Sequence, residues 1–210
     1  MQQFFLIAAV HFLALLSPGP DFFLIARTSL ASGWRSAGAA CLGIALANGV
    51  FIATAFAGVA VLQPGSRLFT LLQMAGCGYL LYLGLLFIRH AGKSALGVVA
   101  SPGRAASAAT TWRRAACMGF LSGILNPKNA LFYASLAAML TGPHASVGWK
   151  LVYGSWMFSI VLLWDLLIAA LIGNPAVLRR FARALPWLER ISGGVLIVLA
   201  LGVIAALWLR

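Results

Sequence analysis

Only three of the 210 residues are acidic, against 15 Lys and Arg, and charged residues of both signs make up 9% of the chain. An ordinary soluble domain carries about 25%. With 62% of residues hydrophobic, too little charge remains to solvate a globular surface, which excludes a soluble enzyme. A nucleic-acid binder is excluded too, despite the net charge of +12. The basic residues of such a domain form a patch beside a normal core; here they stand at the ends of apolar runs. The three cysteines, Cys41, Cys77 and Cys117, form no C-x-x-C pair, and the three histidines are scattered. Thiol relay and cysteine-based metal sites therefore have little support. There is no H-E-x-x-H, no nucleophile elbow, no nucleotide-binding loop and no carboxylate cluster. Nothing indicates an enzyme, a catalytic residue, a metal or a cofactor.

What the chain has is long uncharged sequence, at 1–20, 36–66, 68–88, 129–149 and 191–209. Each run approaches or exceeds the roughly 18–20 residues that span a bilayer core. The pattern predicts an all-α integral membrane protein with six spans, about 2–31, 36–62, 67–89, 113–141, 148–172 and 190–209. The first is not read as a secretory signal, since only Gln2 and Gln3 stand where a basic n-region belongs and apolar sequence continues well beyond. Eleven Lys and Arg fall in the loops after spans one, three and five and three on the opposite side, with Lys128 inside a span. By the positive-inside rule the rich loops are cytoplasmic and both termini lie outside, on the periplasmic face. Residues 91–111, rich in Ala, Ser and Gly, read as a cytoplasmic linker between residues 1–90 and 112–210. Leu178 to Leu188 reads either as a short amphipathic helix on the anionic inner leaflet or as a solvated basic loop.

Three spans on each side of the linker require any internal repeat to be inverted. The first span of each half is interrupted, by Ser17-Pro18-Gly19-Pro20 and by Asn126-Pro127. Aligning Pro20 with Pro127 sets Asp21 opposite Lys128, and Gly76 and Gly84 share their spacing with Gly194 and Gly202. Two inverted-topology three-helix repeats with broken first and fourth helices are therefore expected. Pro18, Pro20 and Pro127 have no N–H, so the carbonyls four residues earlier lose their helical partners. Loose backbone at membrane depth survives only where protein buries it or a wet cavity meets it. Broken helices at matching places in two halves mark a transporter's binding site.

Simple proline kinks are common in membrane helices, but an ionisable residue follows each break. A charge at the bilayer centre costs about 2.5–3.5 kcal/mol even on lenient scales, so Asp21 and Lys128 each need a partner. Each begins a half-helix, whose N-terminus carries free N–H groups and a positive dipole end. One negative and one positive centre suit a zwitterion, with its ammonium on Asp21 and its carboxylate on Lys128. The alternative is a permanent salt bridge joining the halves. Pro18, Gly19, Pro20, Asn126, Pro127 and Asn129 complete the expected substrate site, with the two asparagines offering amides or capping the broken helix. A cavity or proton pathway draws on His11, Asn48, Tyr79 and Asp165. For each of these a packing role competes: a hydrogen-bonded core histidine, an interhelical bond from Asn48, a packed Tyr79, and an arginine pair for Asp165.

Ser17-Pro18-Gly19-Pro20-Asp21 and Asn126-Pro127-Lys128 resemble the lysine-exporter (LysE/RhtB) superfamily, specifically its homoserine/threonine exporter branch. The stretches VHFLALLSPGPDFFLIARTSL at 10–30, LGIALANG at 42–49, GYLLYLG at 78–84 and GFLSGILNPKNALFY at 119–133 fit the same pattern. The resemblance covers essentially the whole chain. It implies a bacterial inner-membrane exporter of small amino acids, acting by proton antiport with alternating access. Its partners would be an amino-acid substrate, protons and the lipid bilayer; a homo-oligomer is compatible with the sequence. Two other classes fit less well. A metal or small-cation exporter on a broken-helix scaffold needs clustered ligands, and a membrane enzyme or redox carrier needs a catalytic or dithiol set.

Overall fold

The computed structural model describes residues 2–60, 66–92, 111–140, 146–172 and 175–208. All regular structure among them is helical: α1 (Gln2–Leu15), α2 (Pro20–Ala60), α3 (Arg67–His90), α4 (Trp112–Ile124), α5 (Pro127–Met139), α6 (Val147–Ile172) and α7 (Pro175–Trp208). Pro20–Gly58, Arg67–His90, Val147–Ile172 and Arg180–Trp208 are long and apolar enough to cross a bilayer. Exposed Leu125, Val147, Val198 and Leu201 give the bundle the apolar outer surface that lipid requires. Most of the expected linker lies outside the described residues.

Both expected breaks are present. Between α1 and α2, residues 16–19 leave the helix where Pro18 has no N–H to continue it. Between α4 and α5, Asn126 is the N-cap, its side-chain oxygen accepting from Lys128 N at 3.1 Å, with Pro127 in the first turn, where a missing N–H costs nothing. The 13 residues of α4 or of α5 rise only about 20 Å, short of a hydrocarbon core of about 30 Å. Neither crosses alone.

The expected loop between spans one and two is reduced to one residue. Helical structure runs through α2 except at Gly33, with φ 81° and ψ 165°. Only glycine adopts that conformation readily. Ile25 and Ala26 share a core cluster with Ala37, Cys41 and Ile44. In one straight helix Ile25 and Ile44 would stand about 28 Å apart, so the chain turns back at Gly33. Ser29 Oγ donates to Ala169 O at 2.7 Å, and Gly92 N donates to Glu189 Oε2 at 3.0 Å. The first contact sets the Gly33 turn against the end of α6, and the second joins the end of α3 to α7. Trp34, beside the turn, and Trp187, in α7, are exposed, with the Arg35 and Arg190 guanidiniums 5.7 Å from their ring centres. Such amphipathic rings anchor at a membrane interface.

Of the two readings of Leu178 to Leu188, the solvated loop is excluded. The stretch is helical and continuous with the last span, although Pro186 removes one helical hydrogen bond. Arg180 and Arg183 are exposed, Leu185 is buried, and Phe181 stacks on Phe22 at 5.8 Å. Phe181 and Leu185 therefore cover protein.

Close approach between helices depends on glycine. A Cβ on Gly119 would overlap the Ala40 carbonyl, and one on Gly43 would overlap Ala116, which locks α4 onto α2. Gly84 and Gly193 make the same kind of contact between α3 and α7. The glycine spacing noted in the sequence is thus only half structural: Gly76 packs on Ser135, but Gly194 and Gly202 have open space where a side chain would go. Gly119→Ala is expected to destabilise the fold by about 3 kcal/mol, seen as loss of monodisperse protein in detergent. Gly148→Ala, with nothing within 4 Å, should behave like the parent; equal behaviour of the two variants would refute tight α2–α4 packing.

Candidate functional site

A small cavity of about 60 Å³ opens between the two breaks. Its polar lining is His11 from α1, Ser17 from the first break, Asp21 and Asn48 from α2, and Asn126, Lys128, Asn129 and Tyr133 from the second break and α5. α6 adds Trp164 and Asp165; Gly19 and Phe132 also line it. There is room for a few waters, and an amino acid enters only if the helices move.

Asp21 begins α2, but its carboxylate does not take the backbone N–H groups expected from its place at a helix start. It accepts from Ser122 Oγ at 2.6 Å, Asn129 Nδ2 at 2.9 Å and Asn126 Nδ2 at 3.2 Å. Asp21 thereby ties the first break to α4 and α5. A carboxylate has about four lone-pair sites, and three are occupied. The two asparagine amides are accordingly engaged by the protein itself. Ser122 was not among the residues expected at the site, and neither were Tyr133 and Trp164 of the cavity wall. Ser122, Asn126 and Asn129 follow one another at i, i+4 and i+7, a helical spacing that was a signal in the sequence even though the break at 125–126 interrupts the helix.

Lys128 points elsewhere. Its Nζ donates to Ser17 O at 3.3 Å and sits 5.0 Å from the centre of the Phe87 ring. A cation over an aromatic face is stabilised by about 0.5–2 kcal/mol. The first break passes beside the ammonium at Gly19, where a Cβ would sit at ordinary van der Waals distance, 3.9 Å, from Nζ. Asp21 and Lys128 form no ion pair with each other among the described residues, so each charge is held by its own set of partners.

The remaining expected residues divide. His11 is fully buried, and its Nε2 meets Tyr133 Oη at 3.2 Å while its ring stacks on Phe132. Nδ1 has no partner. Asn48 lines the cavity but donates to its own helix, at Ile44 O, 2.8 Å, where an interhelical bond was the expected packing role. Tyr79 does not line the cavity; its hydroxyl donates to the Lys128 carbonyl at 3.4 Å and steadies the start of α5. Pro18, Pro20 and Pro127 lie outside the lining and act by breaking helices. Asp165 is only 9% exposed, faces the cavity and has no arginine partner among the described residues; its Oδ2 has no hydrogen bond. Among the described residues no group of His, Cys, Asp and Glu is placed to hold a metal ion.

Residues 12–206 match the family described as LysE type translocator. The chain belongs to that family. It is 28% identical over 200 residues to the threonine efflux protein of Salmonella typhimurium, covering 93% of this chain and 94% of that one. The threonine efflux protein of Escherichia coli K12 is 28% identical over 198 residues, with the same coverage. The leucine efflux protein of Salmonella choleraesuis is 30% identical over 142 residues, 63% of this chain and 62% of that one. No solved structure matches the chain. This LysE type translocator is therefore a multi-pass, all-helical membrane protein and an amino-acid exporter by family. The matched region takes in both helix breaks and every described residue around the cavity except His11, one position before it.

Proposed function

We propose that the protein exports small neutral amino acids, of the threonine and homoserine kind, across the bacterial inner membrane by proton antiport. The observation that carries the reading is the cavity between two broken helices, with the Lys128 ammonium on one wall and the carboxylates of Asp21 and Asp165 on others. A zwitterion fits that arrangement: its carboxylate goes to Lys128 and its ammonium to the acidic side. Leucine, larger and without a hydroxyl, is the second substrate to try, given the leucine efflux relative.

Six crossings in two inverted repeats, residues 1–90 and 112–210, account for the paired breaks and for the meeting of their last helices at Gly84 and Gly193. The arginine-rich loops after spans one, three and five face the cytoplasm on this reading, and both termini face the periplasm. The cavity is small enough to be occluded, and rocking one repeat against the other would open it to each side in turn.

The test uses inside-out membrane vesicles. Labelled threonine is expected to accumulate when the interior is acid, and accumulation should vanish when an uncoupler collapses both the pH gradient and the membrane potential. Accumulation that survives the uncoupler would exclude proton coupling. If threonine, homoserine and leucine all fail to move above the level of vesicles lacking the protein, the exporter reading fails.

A further inference from the structure

We infer that Asp165 is the exchange site of the cavity, a carboxylate that holds either the coupling proton or the substrate's ammonium group, never both. The inference rests on the exporter reading and assigns its two acids different tasks.

The chain has three acidic residues. Asp21 is satisfied by Ser122, Asn126 and Asn129, and a substrate could take it only by dismantling the join between the two breaks. Glu189 accepts from Gly92 N and does not line the cavity. Asp165 alone combines deep burial, a place in the cavity wall and an oxygen without a donor. Ionised and unpaired, it would be an uncompensated charge inside the membrane, so it requires a cation of some kind.

The described surroundings supply none. The titratable groups facing it are Asp21 and the Cys41 thiol from α2, His11 from α1, and Tyr133 and Lys128 from α5. Lys128 is directed to Ser17 O and the Phe87 ring. α3 and α7 contribute nothing to the lining among the described residues. His11 adds a second open position: Nε2 shares a hydrogen bond with Tyr133 Oη and Nδ1 has no partner, so Nδ1 accepts from an ammonium in the tautomer that carries the ring proton on Nε2. An α-ammonium brings three donors and one positive charge to a cavity whose unsatisfied atoms are a carboxylate oxygen and a ring nitrogen.

One carboxylate neutralised by either of two cations couples their movements. Substrate arriving from the cytoplasm displaces the proton: the Asp165 O–H bond breaks, the proton passes to vestibule water as hydronium, and the ammonium hydrogen-bonds to the carboxylate. On the far side hydronium returns a proton to the carboxylate, leaving water, and the amino acid departs. No other reactant is needed. The two acids at the centre then separate as an exchange residue, Asp165, and a positioning residue, Asp21.

Purified protein in weakly buffered detergent solution, with a pH indicator, tests this using threonine, homoserine and leucine as probes. The parental protein should release about one proton per bound amino acid. Asp165→Asn should release none and bind roughly tenfold more weakly, the factor expected for one charge-assisted hydrogen bond. Asp165→Glu should keep the release and controls for folding. Proton release from Asp165→Asn equal to the parent's, or parental affinity in that variant, overturns the inference. A second measurement needs no variant: dicyclohexylcarbodiimide should modify Asp165 in the parental protein, and the best-binding probe should block it. Modification of Asp165 that saturating probe leaves unchanged also overturns the inference. If the parent binds a probe but releases no proton, the exchange role alone falls. If it binds none of the three, the exporter reading falls and carries this inference with it.

Discussion

Lys128→Met is expected to lower amino-acid export by about 100-fold while the protein still reaches the membrane in normal amount. The loss follows from the bond that the ammonium would make to a substrate carboxylate. A hydrogen bond to a charged group contributes about 1.5–3 kcal/mol, and about 1.4 kcal/mol corresponds to a factor of ten. Folding should survive, because methionine keeps most of the side chain's length and removes a charge whose burial is unfavourable. The native partners of Nζ, Ser17 O and the Phe87 ring, lose a donor and a cation but no packing of consequence. Lys128→Arg should fall between the two, since a planar guanidinium with a fixed fork of donors replaces the compact point charge. Initial rates in inside-out vesicles, normalised to membrane-embedded protein, make the comparison. A Met variant within twofold of the parent would remove Lys128 from the substrate site.

Asp21→Asn is expected to reduce export at least about tenfold, through loss of position rather than loss of contact with the substrate. Three donors converge on the Asp21 carboxylate. An asparagine offers only one oxygen to them and turns its own N–H₂ group toward the others, leaving unmatched donors at about 1–3 kcal/mol each. The double variant Asp21→Asn with Lys128→Met decides between two arrangements of the charges. If they formed a structural salt bridge, removing both would relieve the stranded charge that each single variant leaves, and activity would return. With Asp21 held by Ser122, Asn126 and Asn129, and Lys128 by Ser17 and Phe87, the double variant should be folded and inactive. A folded double variant exporting threonine near the parental rate would falsify separate roles for the two residues.

Much of the centre was legible because proline and charge leave strong local marks in an apolar chain. Pro18, Pro20 and Pro127 cannot continue a helix, so both breaks could be placed within a residue or two. Asp21, Lys128, Asn126 and Asn129 are polar residues beside those breaks, and the structure sets all four around one cavity. Asp165 has no helix breaker near it in the sequence, and only its charge inside an apolar run marked it.

Which polar atoms remain free was not legible. Asn126 and Asn129 read equally well as substrate amides and as internal donors, and only the approach of α2 to α4 and α5 engages them with Asp21. The same approach brings in Ser122, whose spacing from Asn126 marks a polar stripe in the sequence without saying which residue it meets. His11, Tyr133, Trp164 and Asp165 come from three helices, the first of them separated from the other two by more than 100 residues. Their meeting depends on tertiary packing that no local pattern encodes.

Membrane embedding, helical class, the two breaks and the charges beside them all follow from the order of residues, because the cost of exposing backbone or charge to lipid is incurred residue by residue. Helix packing alone decided that Asp21 and Lys128 do not pair, that Gly33 turns the chain within one residue, and that Asp165 faces the cavity with an oxygen unbonded. Those outcomes depend on distances between helices, which glycine contacts such as Gly119 on Ala40 set across the fold.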